Sequence, residues 1–214
     1  MLKTVLKRFF SGVAAGVLVS IGGCVFLSCR DGSALGTVAG AVLFSVALLC
    51  ICYKEYALFT GKVGYLAKSR TRTDLSVLFL GLAGNFAGAV TSAVLARICW
   101  GGSFAPAEAV SAAKLSQSVP QALAKAFFCG ILMYLAVSVF KEKKTPLGII
   151  FCIPVFILSG FEHSIADMFY LSAGFDFTAS YIWRAMFYIL LILAGNAAGS
   201  VFIALFDKKE EKPQ

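Results

Sequence analysis

A single histidine, His163, occurs in the 214 residues, beside a carboxylate, Glu162, in the stretch LSGFEHSIADMFY at 158–170. An imidazole next to a carboxylate can hold, donate or accept a proton near neutral pH. Residues 147–158 before it are almost wholly apolar, and 168–171 resume that character. Ionisable groups in a segment crossing a bilayer are expensive, so they mark a substrate, ion or proton path. The competing chemistry is an intramembrane enzyme using both groups with a metal or a cysteine. It lacks a ligand set, because there is no second histidine. The seven cysteines (Cys24, Cys29, Cys50, Cys52, Cys99, Cys129, Cys152) are odd in number and without two CxxC pairs. They read as small apolar fillers, and neither a metal nor another cofactor is expected.

The elements that position this pair must be membrane spans. Hydrophobic residues make up 59% of the chain and charged residues 14%, with a mean hydropathy of +0.86. Soluble domains carry about 45–50% apolar and about 25% charged residues. An all-α membrane protein follows. At about 20 apolar residues per span, the length accommodates six spans and no soluble domain. One transmembrane domain is expected over 1–206, with a polar cytoplasmic tail at 207–214. The basic start and apolar run at the amino terminus lack a small-residue exit into a polar chain, so they read as a retained first helix. The formal net charge of +8 comes from lysines and arginines that bracket apolar spans. That pattern sets topology and does not call for nucleic acid.

Spans are expected at about 5–27, 34–53, 75–99, 119–140, 147–171 and 179–206. The second continues to 67 across Lys54, Glu55 and a Thr60-Gly61 pair, and is interrupted. The fifth is interrupted around His163. Lys54 and Glu55 could simply pair with each other, and 100–117 reads as a loop. Lys3, Lys7 and Arg8, then Lys68, Arg70 and Arg72, then Lys141, Lys143 and Lys144, then Lys208, Lys209 and Lys212 share one side if there are six spans. Both termini are therefore expected in the cytoplasm, with the protein in the plasma (inner) membrane. AGNFAGAV at 83–90 matches AGNAAGSV at 194–201, and RFFSG at 8–12 echoes AFFCG at 126–130. Two halves of three spans, each with a broken middle span, predict an inverted repeat whose broken helices build a central site. The small-xxx-small pairs Gly84 and Gly88, and Gly195 and Gly199, allow close helix packing.

These residues resemble the formate/nitrite transporter family, which includes hydrosulfide channels. LFTGK at 58–62, GNFAGA at 84–89, CGILMYLAV at 129–137, SGFEHSIADMFY at 159–170 and GNAAGS at 195–200 carry the resemblance across essentially the whole chain. It implies an aquaporin-like six-helix protomer, a homopentamer, and a pore in each protomer with broken second and fifth helices. The implied pore centre is His163 facing Thr60. One apolar constriction is implied at Phe44, Leu48 and Phe156, and a second at Leu58. On periodicity alone these would be ordinary packing residues. Lys114 matches the family's vestibule lysine, which attracts the anion. Glu162, Asn85 and Asn196 are expected to support the interrupted segments. The chain departs from the family's pattern at Ala57, Lys62, Gly130 and Asp167.

The implied function is a channel or proton-coupled transporter for small monovalent anions of weak acids, formate or nitrite first and hydrosulfide as the alternative. Moving a bare carboxylate into a low-dielectric medium costs about 20 kcal/mol in the ideal limit and several after relaxation. Protonating an acid of pKa about 3.5 at neutral pH costs about 5 kcal/mol. A greasy constriction therefore favours the neutralised acid, with Thr60 and His163 hydrogen-bonding it at the centre. The histidine serves there either as a neutral donor or as a proton relay.

Overall fold

The computed structural model describes residues 2–30, 32–176 and 178–207. Asp31 and the tail residues 208–214, with Lys208, Lys209 and Lys212, lie outside the described residues. Among the described residues every regular element is helical. Five helices are long and apolar enough to cross a membrane: α1 (Leu2–Cys29), α2 (Ala34–Tyr53), α4 (Arg72–Cys99), α6 (Val119–Lys143) and α9 (Ala179–Ala204). Between them lie α3 (Phe59–Lys62) with a 3₁₀ turn (Val63–Ala67), α5 (Ala105–Leu115), α7 (Leu147–Leu158) and α8 (Ser164–Ala173). Large apolar side chains such as Phe79, Trp183 and Leu190 are more than 60% exposed on the outer surface. A surface of that kind suits lipid and would be a liability in water.

The interruptions fall where the sequence places them. After α2, Tyr56 N–H donates to Ile51 O (3.0 Å) and Glu55 N–H to Cys52 O (3.2 Å). After α7, Phe161 N–H donates to Phe156 O and Gly160 N–H to Ile157 O, both at 3.0 Å. Both are the six-to-one, five-to-two closure of a Schellman cap. The left-handed position is Gly160 at φ 64° in one and Glu55 at φ 56° in the other. A glycine is at ease there, whereas Glu55 carries a strain of about 1–2 kcal/mol. The two breaks are therefore the same structure, 105 residues apart. Lys54 and Glu55 make no ion pair with each other, contrary to the sequence expectation. Lys54 is the cap of α2 and Glu55 the left-handed residue after it, so backbone hydrogen bonds close the break.

Helix pairs repeat in the same way. Glycines bring α1 against α4 and α6 against α9 until backbones touch. A Cβ on Gly84 would strike Phe9 O, and one on Gly195 would crowd Leu123 O. Gly16 faces Asn85 O as Gly130 faces Asn196 O. The structure thus pairs Gly16 with Gly130 and corrects the RFFSG–AFFCG match by one helical turn. Contact between helix backbones sets the register, and the phenylalanine pairs that suggested the other match do not.

The segment expected as a loop at 100–117 contains α5. Pro106 sits in its first turn with Glu108, and Lys114 in its last. That is the distribution a helix start, a helix end and the helix dipole favour. At the other end of the molecule Asp207 accepts from Lys68 Nζ (3.0 Å) and from the Tyr134 hydroxyl.

Gly199→Ala would place a methyl group inside the Phe127 carbonyl oxygen. A loss of about 1–3 kcal/mol is expected from such overpacking, read as a lower thermal unfolding midpoint in detergent. At Asp207, burial acts to raise the carboxyl, but the hydrogen bonds from Tyr134 and Lys68 outweigh it and hold it below its ordinary value of 3.8. The tie is therefore fully present above that value and lost as pH falls through the lowered one. Asp207→Asn should cost under about 1 kcal/mol at neutral pH for so exposed a pair. The difference from the unaltered protein should close as the melt is repeated at acid pH.

Candidate functional site

Three hydrogen bonds from one amide fix each break. Asn85 Oδ1 accepts from Phe59 N–H (3.0 Å), and its Nδ2 donates to Gly12 O and Ala57 O (both 2.8 Å). Asn196 Oδ1 accepts from Ser164 N–H (2.9 Å), and its Nδ2 donates to Ala126 O and Glu162 O (both 2.8 Å). These are the only two asparagines of the sequence, and both are fully buried. An amide carries both donors and an acceptor on one planar group. It therefore satisfies a half-helix start and the carbonyls around it at once.

Held in this way, the two broken helices meet at Thr60 and His163. His163 caps α8: Ala166 N–H donates to its Nδ1 at 3.1 Å. Its Nε2 lies 2.9 Å from Thr60 Oγ1. Because Nδ1 accepts a backbone N–H, it carries no proton, and the ring proton belongs to Nε2. The imidazole is thus a neutral ring donating to Thr60, which keeps its own hydroxyl proton for another acceptor. Phe156 stacks on His163 at 5.7 Å between centroids, and Phe44 meets Phe156 edge-on at 6.0 Å.

Two cavities approach this contact. One, of about 600 Å³, is lined by Phe44, Phe156, His163, Lys114, Glu162 and Asp167, with Arg30 and Lys125 further out. The other, of about 340 Å³, is lined by Leu48, Leu58, Lys62, Lys141 and Lys144. Leu48, expected with Phe44 and Phe156, lines the second cavity together with Leu58. Phe44 and Leu48 are one turn apart on α2, about 6 Å along the axis. That rise goes with their lining different cavities.

Lys114 departs from the picture of a free vestibule charge. Its ammonium bonds to Glu162 and lies 2.7 Å from Asp167 Oδ1, with side-chain exposure of 13%, 3% and 1% for the three. Gln117 Nε2 donates to the other Glu162 oxygen at 2.7 Å. Glu162 therefore takes its side-chain partners from Lys114 of α5 and from Gln117, two residues past its end, and its backbone carbonyl serves Asn196. Asp167 and Gln117 are the residues that sequence reasoning missed. Asp167 stood out only as a departure from a family pattern, although the rule that selected His163 applies equally to it. Among the described residues no three His, Cys, Asp or Glu side chains gather as metal ligands.

The chain matches the family described as Formate/nitrite transporter over residues 1–207. It is 27% identical to the formate-nitrite transporter of Plasmodium vivax, over 94% of this chain and 73% of that one. It is 26% identical to the formate channel FocA of Escherichia coli strain K12, over 85% and 72%. Its fold is similar to that of a solved FNT family ion channel, with TM-score 0.77 and 24% identity over 94% of this chain and 88% of the other. It is equally similar to a pentameric formate channel with formate bound, with TM-score 0.77 and 22% identity over 95% and 96%.

Asn196→Ala strands Ser164 N–H and two carbonyls in a buried site, and Asn85→Ala does the same at the other break. Each should lower unfolding stability in detergent by about 1–3 kcal/mol. Asn196→Asp keeps the acceptor for Ser164 but turns a carboxylate oxygen on Ala126 O and Glu162 O, so it should rescue little. A melt of Asn196→Ala that overlays the unaltered protein would count against the clamp.

Proposed function

Because the chain belongs to the formate/nitrite transporter family, we propose that it carries small monovalent anions of weak acids, formate or nitrite first, across the membrane. The observation that carries this reading is the Thr60–His163 contact, closed by two broken helices between two cavities. The protomer is a six-span pore domain made of two inverted three-helix halves. The identical caps and asparagine clamps at the two breaks support this arrangement, since three spans per half reverse the second half across the bilayer. A homopentamer with one path per protomer is supported by the fold shared with a pentameric formate channel. Basic residues gathered at alternate span ends support cytoplasmic termini and a plasma-membrane location.

The physics of the path is a contest between two costs. A bare anion entering between Phe44 and Phe156, then between Leu48 and Leu58, would lose hydration worth several kcal/mol. Its conjugate acid reaches the same point for about 5 kcal/mol or less, depending on its own acidity. At the centre the Thr60 hydroxyl donates to the passing oxygen and is itself polarised by His163 Nε2–H. The imidazole thus acts as a fixed neutral donor. Using it as a relay would require Nδ1 to give up the Ala166 bond. Lys114 is paired with Glu162 and Asp167, so attraction into the larger cavity falls also to Arg30 and Lys125. Three lysines do the same at the smaller one.

Reconstituted vesicles given a formate, nitrite or hydrosulfide gradient, with and without a pH gradient, test the reading. Proton-linked uptake is expected, and silence towards every weak acid would overturn it. His163→Ala removes both the α8 cap and the Thr60 donor, so uptake should fall about tenfold or more, the equivalent of one or two buried hydrogen bonds. His163→Asn keeps a capping side chain and should restore assembly better than transport. Unchanged uptake in both variants would remove the imidazole from the mechanism.

A further inference from the structure

We propose that Asp167 and Glu162 hold one proton between them on Lys114, and that this shared proton is the one handed to the anion in the larger cavity. The step rests on the anion-conducting reading above. Two carboxyl groups on one ammonium nitrogen are necessarily close neighbours, and Asp167 and Glu162 are almost completely buried. Were both ionised, the trio would carry an uncompensated negative charge on side chains that reach the cavity with only 1–13% of their surface. Such a charge is far costlier to bury than a paired one. Like carboxylates sharing one site titrate as a pair and keep a common proton.

Every other group facing the site is neutral or lies at its margin. Gln117, just past the end of α5, donates to Glu162 and reaches the Tyr188 hydroxyl of α9 at 3.3 Å. The Tyr170 ring of α8 lies 5.6 Å from the Lys114 ammonium. The Cys129 thiol of α6 is fully buried nearby, and Arg30 and Lys125 are on the outer wall of the cavity. His163 offers no place for the proton, because Nδ1 accepts from Ala166 and Nε2–H faces Thr60. Among the described groups none donates a well-aligned hydrogen bond to either Asp167 oxygen. Its cation, Lys114 at 2.7 Å from Oδ1, is shared with Glu162, so a carboxyl with no further donor is well placed to keep a proton.

Delivery balances simply. The carboxyl O–H bond breaks as an O–H bond forms on the incoming anion, leaving both carboxylates briefly ionised against Lys114. The neutral acid then passes Phe44 and Phe156, and the pair takes a replacement proton from water in the cavity. One proton enters with each anion and is released when the acid dissociates beyond Leu48 and Leu58.

The test combines infrared difference spectroscopy with vesicle uptake of formate, using the unaltered protein, Asp167→Asn, Glu162→Gln and Asp167→Glu. A protonated-carboxyl band is expected in the unaltered protein at neutral pH and should vanish in Asp167→Asn. Uptake by Asp167→Asn should fall about tenfold or more at neutral pH. It should approach the unaltered rate as the medium is acidified towards formic acid's own pKa, where a donor is no longer needed. Asp167→Glu should restore the neutral-pH rate. Absence of the band in the unaltered protein, which requires no variant to fold, overturns the shared proton. An Asp167→Asn pH profile that overlays the unaltered one overturns its delivery. If the band is present but no weak acid moves, the transport reading fails and the delivery step with it, while the shared proton stands.

Discussion

The structure depends on one neutral imidazole having both its nitrogens occupied. His163 accepts from the first turn of α8 and donates to Thr60, which sits in α3. No part of that arrangement is available to an unbroken helix, where Nδ1 would face a backbone already bonded to itself. The Schellman caps, the two asparagine clamps and the glycine-lined helix pairs all serve to bring the starts of α3 and α8 together at the Thr60–His163 contact. Backbone left open within a membrane is tolerated only when protein or a cavity satisfies it. Here each break finds its partners in an amide side chain from a neighbouring span.

Around that contact the charges and the greasy residues divide the work. Phe44 and Phe156 line the larger cavity with His163, and Leu48 and Leu58 line the smaller one. Charged side chains stay in the cavities, and the most buried of them cancel one another. Lys114 is the clearest instance: an exposed lysine would pull on any anion, but one clasped by Glu162 and Asp167 mainly fixes the geometry of α5 against the second break. Asp167 adds a second carboxyl to that clasp, where a neutral side chain would leave Lys114 with Glu162 alone.

Much of this was legible in the sequence because the membrane makes polar residues conspicuous. His163 and Glu162 stood out against an apolar run, and the two GN motifs pointed to paired spans. The composition alone required helices. What was not legible depends on geometry that residue type does not encode. Leu48 and Phe44 are alike on paper, and only the rise of α2 separates the cavities they face. The RFFSG echo lost to the true register because glycine contacts, not phenylalanine pairs, decide how closely α1 and α4 approach. Helix α5 was hidden by its position between two long spans, although Pro106, Glu108 and Lys114 stood in the order a short helix prefers. The pairing of Lys114 could not be seen because its partners are about 50 residues away in sequence.

The lone histidine gives the central claim a direct test. With nitrogen-15 in histidine only, magnetic resonance of the protein in lipid at neutral pH reports one ring and no other. A protonated Nε2 and a bare Nδ1 are predicted, with the Nε2 signal perturbed by Thr60→Val. Two protonated nitrogens, or a proton on Nδ1, would contradict the account.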